Sequence, residues 1–194
     1  MTSTCSTDWC GQRLAWAPTE VLCSFGGERN RSQTDPLTGI PNRRSFFEHL
    51  GTESHRARRY SRSISLAYID LDHFKEINDA FGHETGDRLL AVVAGVIKRD
   101  IRQIDVVARL GGDEFALLLP ETDSEAATMA LNKIQRSLQA AMKQRQWPVT
   151  FSVGLVTFQP PPDSIQSMVN AADQAMYTAK RNGRGRLIVH EPAA

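Results

Sequence analysis

Two pairs of acidic residues lie in segments of the sequence that are otherwise apolar. Asp70 and Asp72 belong to the run ISLAYIDLD, and Asp113 and Glu114 follow two glycines in RLGGDEFALL. A carboxylate inside an apolar strand is costly unless a cation compensates its charge. For Asp70 we therefore favour a role as a metal ligand. Asp72 suits capping of the following helix equally well.

Gly111 and Gly112 separate two strand-like segments, which predicts a hairpin. Because glycines have no Cβ, such a turn lets the backbone approach a ligand closely. Carboxylates on two neighbouring strands beside the turn suit a hard cation such as Mg²⁺, with phosphate oxygens completing its shell. Adjacent strand residues face opposite sides, so we expect only one of Asp113 and Glu114 to share a site with Asp70. Taken alone, Gly-Gly-Asp-Glu is also an ordinary surface turn.

The elements that must position these acids alternate along the chain from residue 35. A helix capped by Asn42 precedes a buried strand at residues 64–72, and a short helix ending near Gly82 and a longer amphipathic helix follow it. The hairpin, a helix, a strand, a helix and a last short strand complete the chain. This order predicts an α/β (α+β) sandwich whose mixed, mostly antiparallel central sheet is flanked by helices.

Composition and charge exclude several classes of protein. The chain has 194 residues, is 41% hydrophobic and 23% charged, and carries a net charge of +1. This near-neutral balance gives no electrostatic footprint for a nucleic-acid partner. The longest apolar run, residues 89–97, is far shorter than the roughly 20 residues of a membrane-spanning helix. We see no signal peptide and expect a cytoplasmic protein with no membrane span.

Residues 1–33 show no sustained periodicity. We expect a poorly ordered N-terminal tail, or the remnant of an upstream region, ahead of a domain at residues 34–194. All three cysteines, Cys5, Cys10 and Cys23, lie in this tail. We interpret them as free thiols rather than as a zinc site, because no histidine or second cysteine pair lies near them.

Five motifs occur in order: DPLTGIPNRR, YIDLDHFKEINDAFGHETGD, RLGGDEF, SVG and AMYTAKRNGRGR. Together they resemble the GGDEF family, the diguanylate cyclases, over roughly residues 34–190. The resemblance implies a fold like that of class III nucleotide cyclases and the polymerase palm. It also implies condensation of two GTP molecules into cyclic di-GMP and pyrophosphate. The alternative is a catalytically silent module that binds GTP or cyclic di-GMP, and a polymerase or adenylyl cyclase ranks last.

The resemblance implies a role for each matching residue. The carboxylates of Asp70 and Asp113 and the carbonyl of Leu71 would hold Mg²⁺, two ions per site, with Mn²⁺ as the alternative ion. Glu114 would lie beside the reacting ribose and complete the catalytic set with Asp70 and Asp113. The resemblance also implies two sets of residues that contact the nucleotide. Guanine would be bound by Asn78, Asp87 and His83, and the triphosphate by His73, Phe74, Lys75, Lys180 and Arg184.

Arg102 and Asp105 form an R-x-x-D pattern six positions ahead of the glycine pair. By itself this is an i,i+3 ion pair. In the family, a pattern at this offset is the core of an inhibitory site for the product, which we favour. Each domain would hold one GTP, so a homodimer is expected for catalysis. Gly185 replaces a more common Asn of the family, and we expect extra freedom in that loop.

Overall fold

The structure of the protein is a computed structural model that describes residues 32–190. Nearly all of the expected tail, residues 1–33, and its three cysteines lie outside this range. Within it, helices and strands follow the predicted order: α1 (Arg43–Arg59), β1 (Ile64–Asp72), α2 (Phe74–Phe81), α3 (His83–Asp100), β2 (Val106–Gly111), β3 (Glu114–Pro120), α4 (Ser124–Arg145), β4 (Thr150–Phe158), α5 (Ile165–Arg181) and β5 (Leu187–His190). None of these described helices is long and apolar enough to cross a membrane.

The strands form one sheet in the order β2-β3-β1-β4-β5. All neighbouring strands are antiparallel except β4 and β5, which are parallel. The predicted mixed, mostly antiparallel sheet is therefore confirmed. Strand β1 lies at the centre between β3 and β4, which explains why all nine of its residues are buried.

The two faces of β1 carry different side chains, as strand alternation predicts. Ala67, Ile69 and Leu71 belong to the main hydrophobic core, which α3 and α4 cover. Tyr68, Asp70 and Asp72 therefore face the opposite side, where α1 and α5 lie. Helices α1 and α5 also contact each other, since the Ser54 hydroxyl of α1 lies 3.6 Å from the Met168 sulfur of α5.

Gly154 of β4, the glycine of the SVG motif, lets α5 lie directly on the sheet. A Cβ placed there would lie 2.1 Å from the backbone nitrogen of Met176 and 2.7 Å from the carbonyl oxygen of Ala172. No side chain fits in this space. The close contact places the C-terminal end of α5, which bears Lys180, beside the end of β1.

The hairpin turn is joined to the segment that precedes α1. The Arg109 guanidinium donates to the carbonyl of Gly112 at 3.0 and 2.8 Å and to the carboxylate of Asp35 at 3.2 Å. The predicted cap of α1 is confirmed, because the Asn42 side chain accepts from the Ser45 N–H at 3.0 Å. Arg109 thus orients the Gly-Gly turn relative to the sheet.

Candidate active site

The acidic residues meet where β1 ends and β3 begins. Asp70 and Glu114 are direct cross-strand partners, so their side chains share one face of the sheet. Asp113 lies in the turn, and its carbonyl accepts from the Leu71 N–H at 3.4 Å. Strand alternation does not apply to a turn residue, and Asp113 interacts electrostatically with both Asp70 and Glu114. Asp113 and Glu114 thus both interact electrostatically with Asp70, and which of them would share a site with it stays a prediction.

Three carboxyl groups at this corner are harder to ionise than usual. Burial raises the pKa of Asp70, an effect that the neighbouring Lys180 only partly offsets. Burial also raises the pKa of Glu114, and the charges of Asp70 and Asp113 add to the shift. Burial likewise raises the pKa of Asp173 on α5. Sequence reasoning missed Asp173, although its place seven residues before Lys180 puts both on one face of a helix.

Lys180 makes an ion pair with Asp70. Its ammonium nitrogen lies 2.7 Å from Oδ2 of Asp70, which itself is only 5% exposed. The resemblance implies that Lys180 contacts phosphate, so the structure gives it a different partner. Within residues 32–190, no three histidine, cysteine or acidic side chains are grouped so that they could hold a metal ion. The ammonium of Lys180 thus balances part of the carboxylate charge at this corner.

Asp72 does not cap the next helix. Its Oδ1 accepts from the hydroxyl of Ser152 at 2.7 Å, and its Oδ2 accepts from the hydroxyl of Thr150 at 2.7 Å and the N–H of Gly185 at 3.0 Å. Helix α2 has no side-chain cap, so the capping interpretation of Asp72 is wrong.

Gly185 has a φ of 61°, a region that also suits asparagine. Its bonded N–H anchors the loop in which the sequence predicts extra freedom.

One of the residues implied for guanine, Asn78, packs against Gly86, the residue that precedes Asp87. Asn78 lies on α2, and Asp87 follows Gly86 in the first turns of α3. A Cβ at Gly86 would lie 1.9 Å from Oδ1 of Asn78, so the amide of Asn78 packs directly over this turn of α3. His83 is the first residue of α3 and, like Asp87, is exposed.

The residues implied for the triphosphate lie on two segments. His73 precedes α2 with a φ of 64°, Phe74 begins the helix and Lys75 is exposed in its first turn. The ring of His73 lies 2.7 Å from the Glu76 carboxylate. Arg184 follows α5, and its guanidinium lies 4.0 Å from Asp72. The segment that bears Lys180 and Arg184 therefore contacts the acidic end of β1, because Lys180 pairs with Asp70 and Arg184 lies near Asp72.

Arg102 and Asp105 bind each other. The Arg102 guanidinium donates to Asp105 at 2.8 and 3.2 Å and to the hydroxyl of Thr122 at 2.6 Å. Both line a cleft of about 490 Å³ whose other walls include Pro41 and Lys98. Arg102 also donates to the carbonyl of Pro120 at 3.4 Å, at the far end of β3. Seven residues of extended strand separate this cleft from the acidic corner by about 20 Å.

Comparison with known proteins extends this description. A family model described as "Diguanylate cyclase, GGDEF domain" matches residues 32–186. The chain is similar to diguanylate cyclase DgcP of Pseudomonas aeruginosa, with 41% identity over 165 residues, and to the probable diguanylate cyclase DgcC of Escherichia coli, with 36% identity over 179 residues. These matches cover 84% and 89% of this chain but 24% and 48% of the two relatives. The chain thus spans a quarter to a half of their length.

Similarity of the fold is high as well. The crystal structure of the GGDEF domain of DgcB from Caulobacter crescentus in complex with c-di-GMP matches with a TM-score of 0.76 and 34% identity. That match covers 84% of this chain and 98% of the other. The mixed sheet with helices on both faces is therefore the fold of this group of domains.

Proposed function

Since the chain belongs to the GGDEF family of diguanylate cyclases, we propose that it condenses two GTP molecules into cyclic di-GMP. In this reaction the 3′-hydroxyl of one GTP attacks the α-phosphorus of the other, pyrophosphate leaves, and a second attack closes the ring. The observation that carries the proposal is the group of carboxyls at the joined ends of β1 and β3, where burial and mutual repulsion raise the pKa values of Asp70 and Glu114. Such a group calls for a cation. We assign the reaction to the cytoplasm, where GTP is supplied.

The donor set fits Mg²⁺, or Mn²⁺ in its place. Asp70 and Asp113 offer carboxylate oxygens and Leu71 a carbonyl, which are the ligands that hard dications prefer. The ammonium of Lys180 beside Asp70 indicates that this corner already attracts positive charge. When bound, two such ions would neutralise the charge that develops on the phosphates. Asp70, Asp113 and the carbonyl of Leu71 would hold them.

Glu114 is the candidate base. In the first attack its carboxylate accepts the proton that the 3′-hydroxyl loses as its oxygen bonds to phosphorus. A raised pKa makes a carboxylate a better proton acceptor, and burial raises that of Glu114. Its position opposite Asp70 in the β1–β3 pair supports a place beside the reacting atoms.

Guanine recognition is proposed for Asn78, Asp87 and His83. The Asp87 carboxylate can accept from N1 and N2 of guanine, and the amide of Asn78 can bind the base edge. With adenine, the Asp87 carboxylate would face an acceptor atom of the base instead of a donor. The unpaired carboxylate therefore disfavours adenine. The packing of Asn78 against Gly86 supports a shared pocket.

The triphosphate is proposed to lie between the start of α2 and the end of α5. The N–H groups of His73 and Phe74 and the ammonium of Lys75 would bind it from one side. Lys180 and Arg184 would bind it from the other. The ammonium of Lys180 has three N–H donors, of which its contact with Asp70 uses one, so it can also donate to a phosphate.

The cleft at Arg102 and Asp105 is proposed as the inhibitory product site. A guanidinium can bind guanine O6 and N7 in a fork, and a carboxylate can accept from the opposite edge of the base. Their mutual ion pair would open when product binds. We expect Arg102→Ala to relieve inhibition by added cyclic di-GMP with little change in initial rate. Unchanged inhibition in a folded variant would contradict this assignment.

The test of the main proposal is product formation. Purified protein at high concentration is incubated with GTP and Mg²⁺, and cyclic di-GMP is sought by mass spectrometry. We expect product from the wild type and none from Asp113→Ala, whose fold is checked by circular dichroism. GTP binding without product would reject the cyclase and support the silent binding module.

A further inference from the structure

Asp72 joins the acidic end of β1 to the loop between α5 and β5, residues 182–186. Its side chain is 1% exposed, so its carboxylate is shielded from a nucleotide bound at the surface. The donor that it receives from the loop is the backbone N–H of Gly185, 113 residues away along the chain. A hydrogen bond to a carboxylate is among the stronger hydrogen bonds in proteins, so it ties this loop to β1.

The backbone of this loop needs such an anchor. Gly183, Arg184 and Gly185 have φ angles of 102°, 59° and 61°. A left-handed conformation is unfavourable for a non-glycine residue such as Arg184. Two hydrogen bonds flank it: the Arg184 N–H donates to the Ala179 carbonyl at 3.2 Å, and the next N–H donates to Asp72. The conformation of Arg184 is therefore held between the end of α5 and Asp72.

The side chain of Arg184 is also influenced by Asp72. Its Nε lies 4.0 Å from Oδ1 of Asp72, and the guanidinium itself remains half exposed. This arrangement keeps the charged group beside Asp72 and leaves it accessible to a ligand. The remaining donors to Asp72, the hydroxyls of Thr150 and Ser152, belong to β4 and hold the carboxylate itself in place.

We propose that Asp72 is a positioning residue that holds Arg184 in place to bind the triphosphate, acting through the Gly185 N–H. The inference rests on the proposed function, in which Arg184 contacts that triphosphate. It gives the two acids of β1 separate tasks: Asp70 would hold the metal ion, and Asp72 secures the loop that bears Arg184.

The test is a double-mutant cycle between Asp72→Ala and Arg184→Ala. Alanine has no side-chain oxygen, so the Gly185 N–H loses its acceptor. Affinity is measured by calorimetry in Mg²⁺ with the non-reactive α,β-methylene analogue of GTP. We expect Arg184→Ala to weaken binding about tenfold in the wild type, the effect of about 1.4 kcal/mol, and less than twofold in the Asp72→Ala background.

Ser152→Ala is the matched control. It removes one donor to the same carboxylate but leaves the Gly185 bond, so Arg184→Ala should still weaken binding about tenfold in its background. Equal losses in the wild-type and Asp72→Ala backgrounds would overturn the positioning role, because independent sites are additive. If Arg184→Ala leaves affinity unchanged in the wild type, the triphosphate assignment fails, and the inference fails with it.

A second measurement needs no variant. Amide hydrogen exchange of the wild-type protein should show protection at Gly185, whose N–H is bonded to a buried carboxylate. The amide of the neighbouring exposed Gly183 serves as the internal reference. Equal, rapid exchange at both glycines would show that the anchor does not exist and would overturn the inference even if Asp72→Ala fails to fold.

Discussion

Gly86 places the amide of Asn78 because it has no side chain of its own. The Oδ1 of Asn78 occupies the space that a Cβ at Gly86 would fill. We expect Gly86→Ala to displace the amide and weaken binding of the α,β-methylene GTP analogue about tenfold, the loss of one good hydrogen bond. Alanine itself favours a helix, so α3 should remain folded.

The matched control for this prediction is Gly95→Ala on the same helix. An added Cβ at Gly95 meets nothing within 4 Å, so this variant should bind the analogue as the wild type does. Calorimetry of both variants decides the matter. Equal affinities for Gly86→Ala and Gly95→Ala would show that the position of Asn78 is not important for nucleotide binding.

Glu114 should reduce the stability of the folded protein at neutral pH. Burial raises its pKa in the folded state, so the folded state holds the proton more tightly than the unfolded chain does. The resulting stabilisation is complete below the unfolded pKa of about 4.3 and is lost as the pH rises through the folded pKa. Glu114→Gln removes the ionised form and should therefore raise the melting temperature at pH 7.

Thermal unfolding in EDTA measures this effect without bound ions. The advantage of Glu114→Gln over the wild type should shrink as the pH falls towards about 4, where the glutamate of the wild type is itself protonated. A variant that melts below the wild type at pH 7 would mean that the Glu114 carboxylate is stabilised, not strained, in the folded protein.

At the scale of elements, the close packing of α5 against β4 sets the position of Lys180. The atoms that oppose a Cβ at Gly154 are backbone atoms of Met176 and Ala172, which cannot rotate away. We expect Gly154→Ala to push α5 outward and cost about 3 kcal/mol of unfolding free energy, measured in urea. Lys180 lies one helical turn beyond Met176, so the ion pair with Asp70 should weaken as well.

Gly51→Ala is the control for this element. Gly51 of α1 faces the end of a flexible side chain, the Cδ1 of Ile165, at 3.4 Å, and that contact can adjust. Its replacement should change the unfolding free energy by less than about 1 kcal/mol. Equal unfolding free energies for Gly154→Ala and Gly51→Ala would contradict the close packing of α5 against β4.

Local sequence signals predicted most elements, and long-range partners decided the rest. The strand at residues 64–72 and the glycine hairpin follow from apolar runs and turn residues that neighbours in sequence specify. The partners of Asp72 lie 78, 80 and 113 residues away, and Asp35 lies 74 residues from Arg109. No local periodicity could reveal them, which is why the capping interpretation of Asp72 was wrong. The metal and nucleotide roles of the other residues stay predictions.

At the scale of the whole molecule, the proposed chemistry requires two copies of the chain. Each domain offers one group of acids and one set of base contacts, while the product joins two nucleotides by two bonds. Two domains must therefore face each other so that each 3′-hydroxyl meets the other α-phosphorus. We expect the initial rate to rise with the square of protein concentration while the chain is mostly monomeric. A rate strictly proportional to concentration down to nanomolar protein would contradict transient pairing.

Mixing provides the sharper test of pairing. In a mixed pair of wild type and Asp113→Ala, one half-site lacks a proposed metal ligand, so only one of the two bonds can form and no ring closes. With wild-type protein fixed at a concentration where most of it is paired, a tenfold excess of Asp113→Ala leaves about one wild-type chain in eleven facing another wild-type chain. Cyclic di-GMP formation should drop about tenfold, whereas a tenfold excess of serum albumin should leave it unchanged. An undiminished rate in the presence of folded Asp113→Ala would show that a single chain completes the reaction.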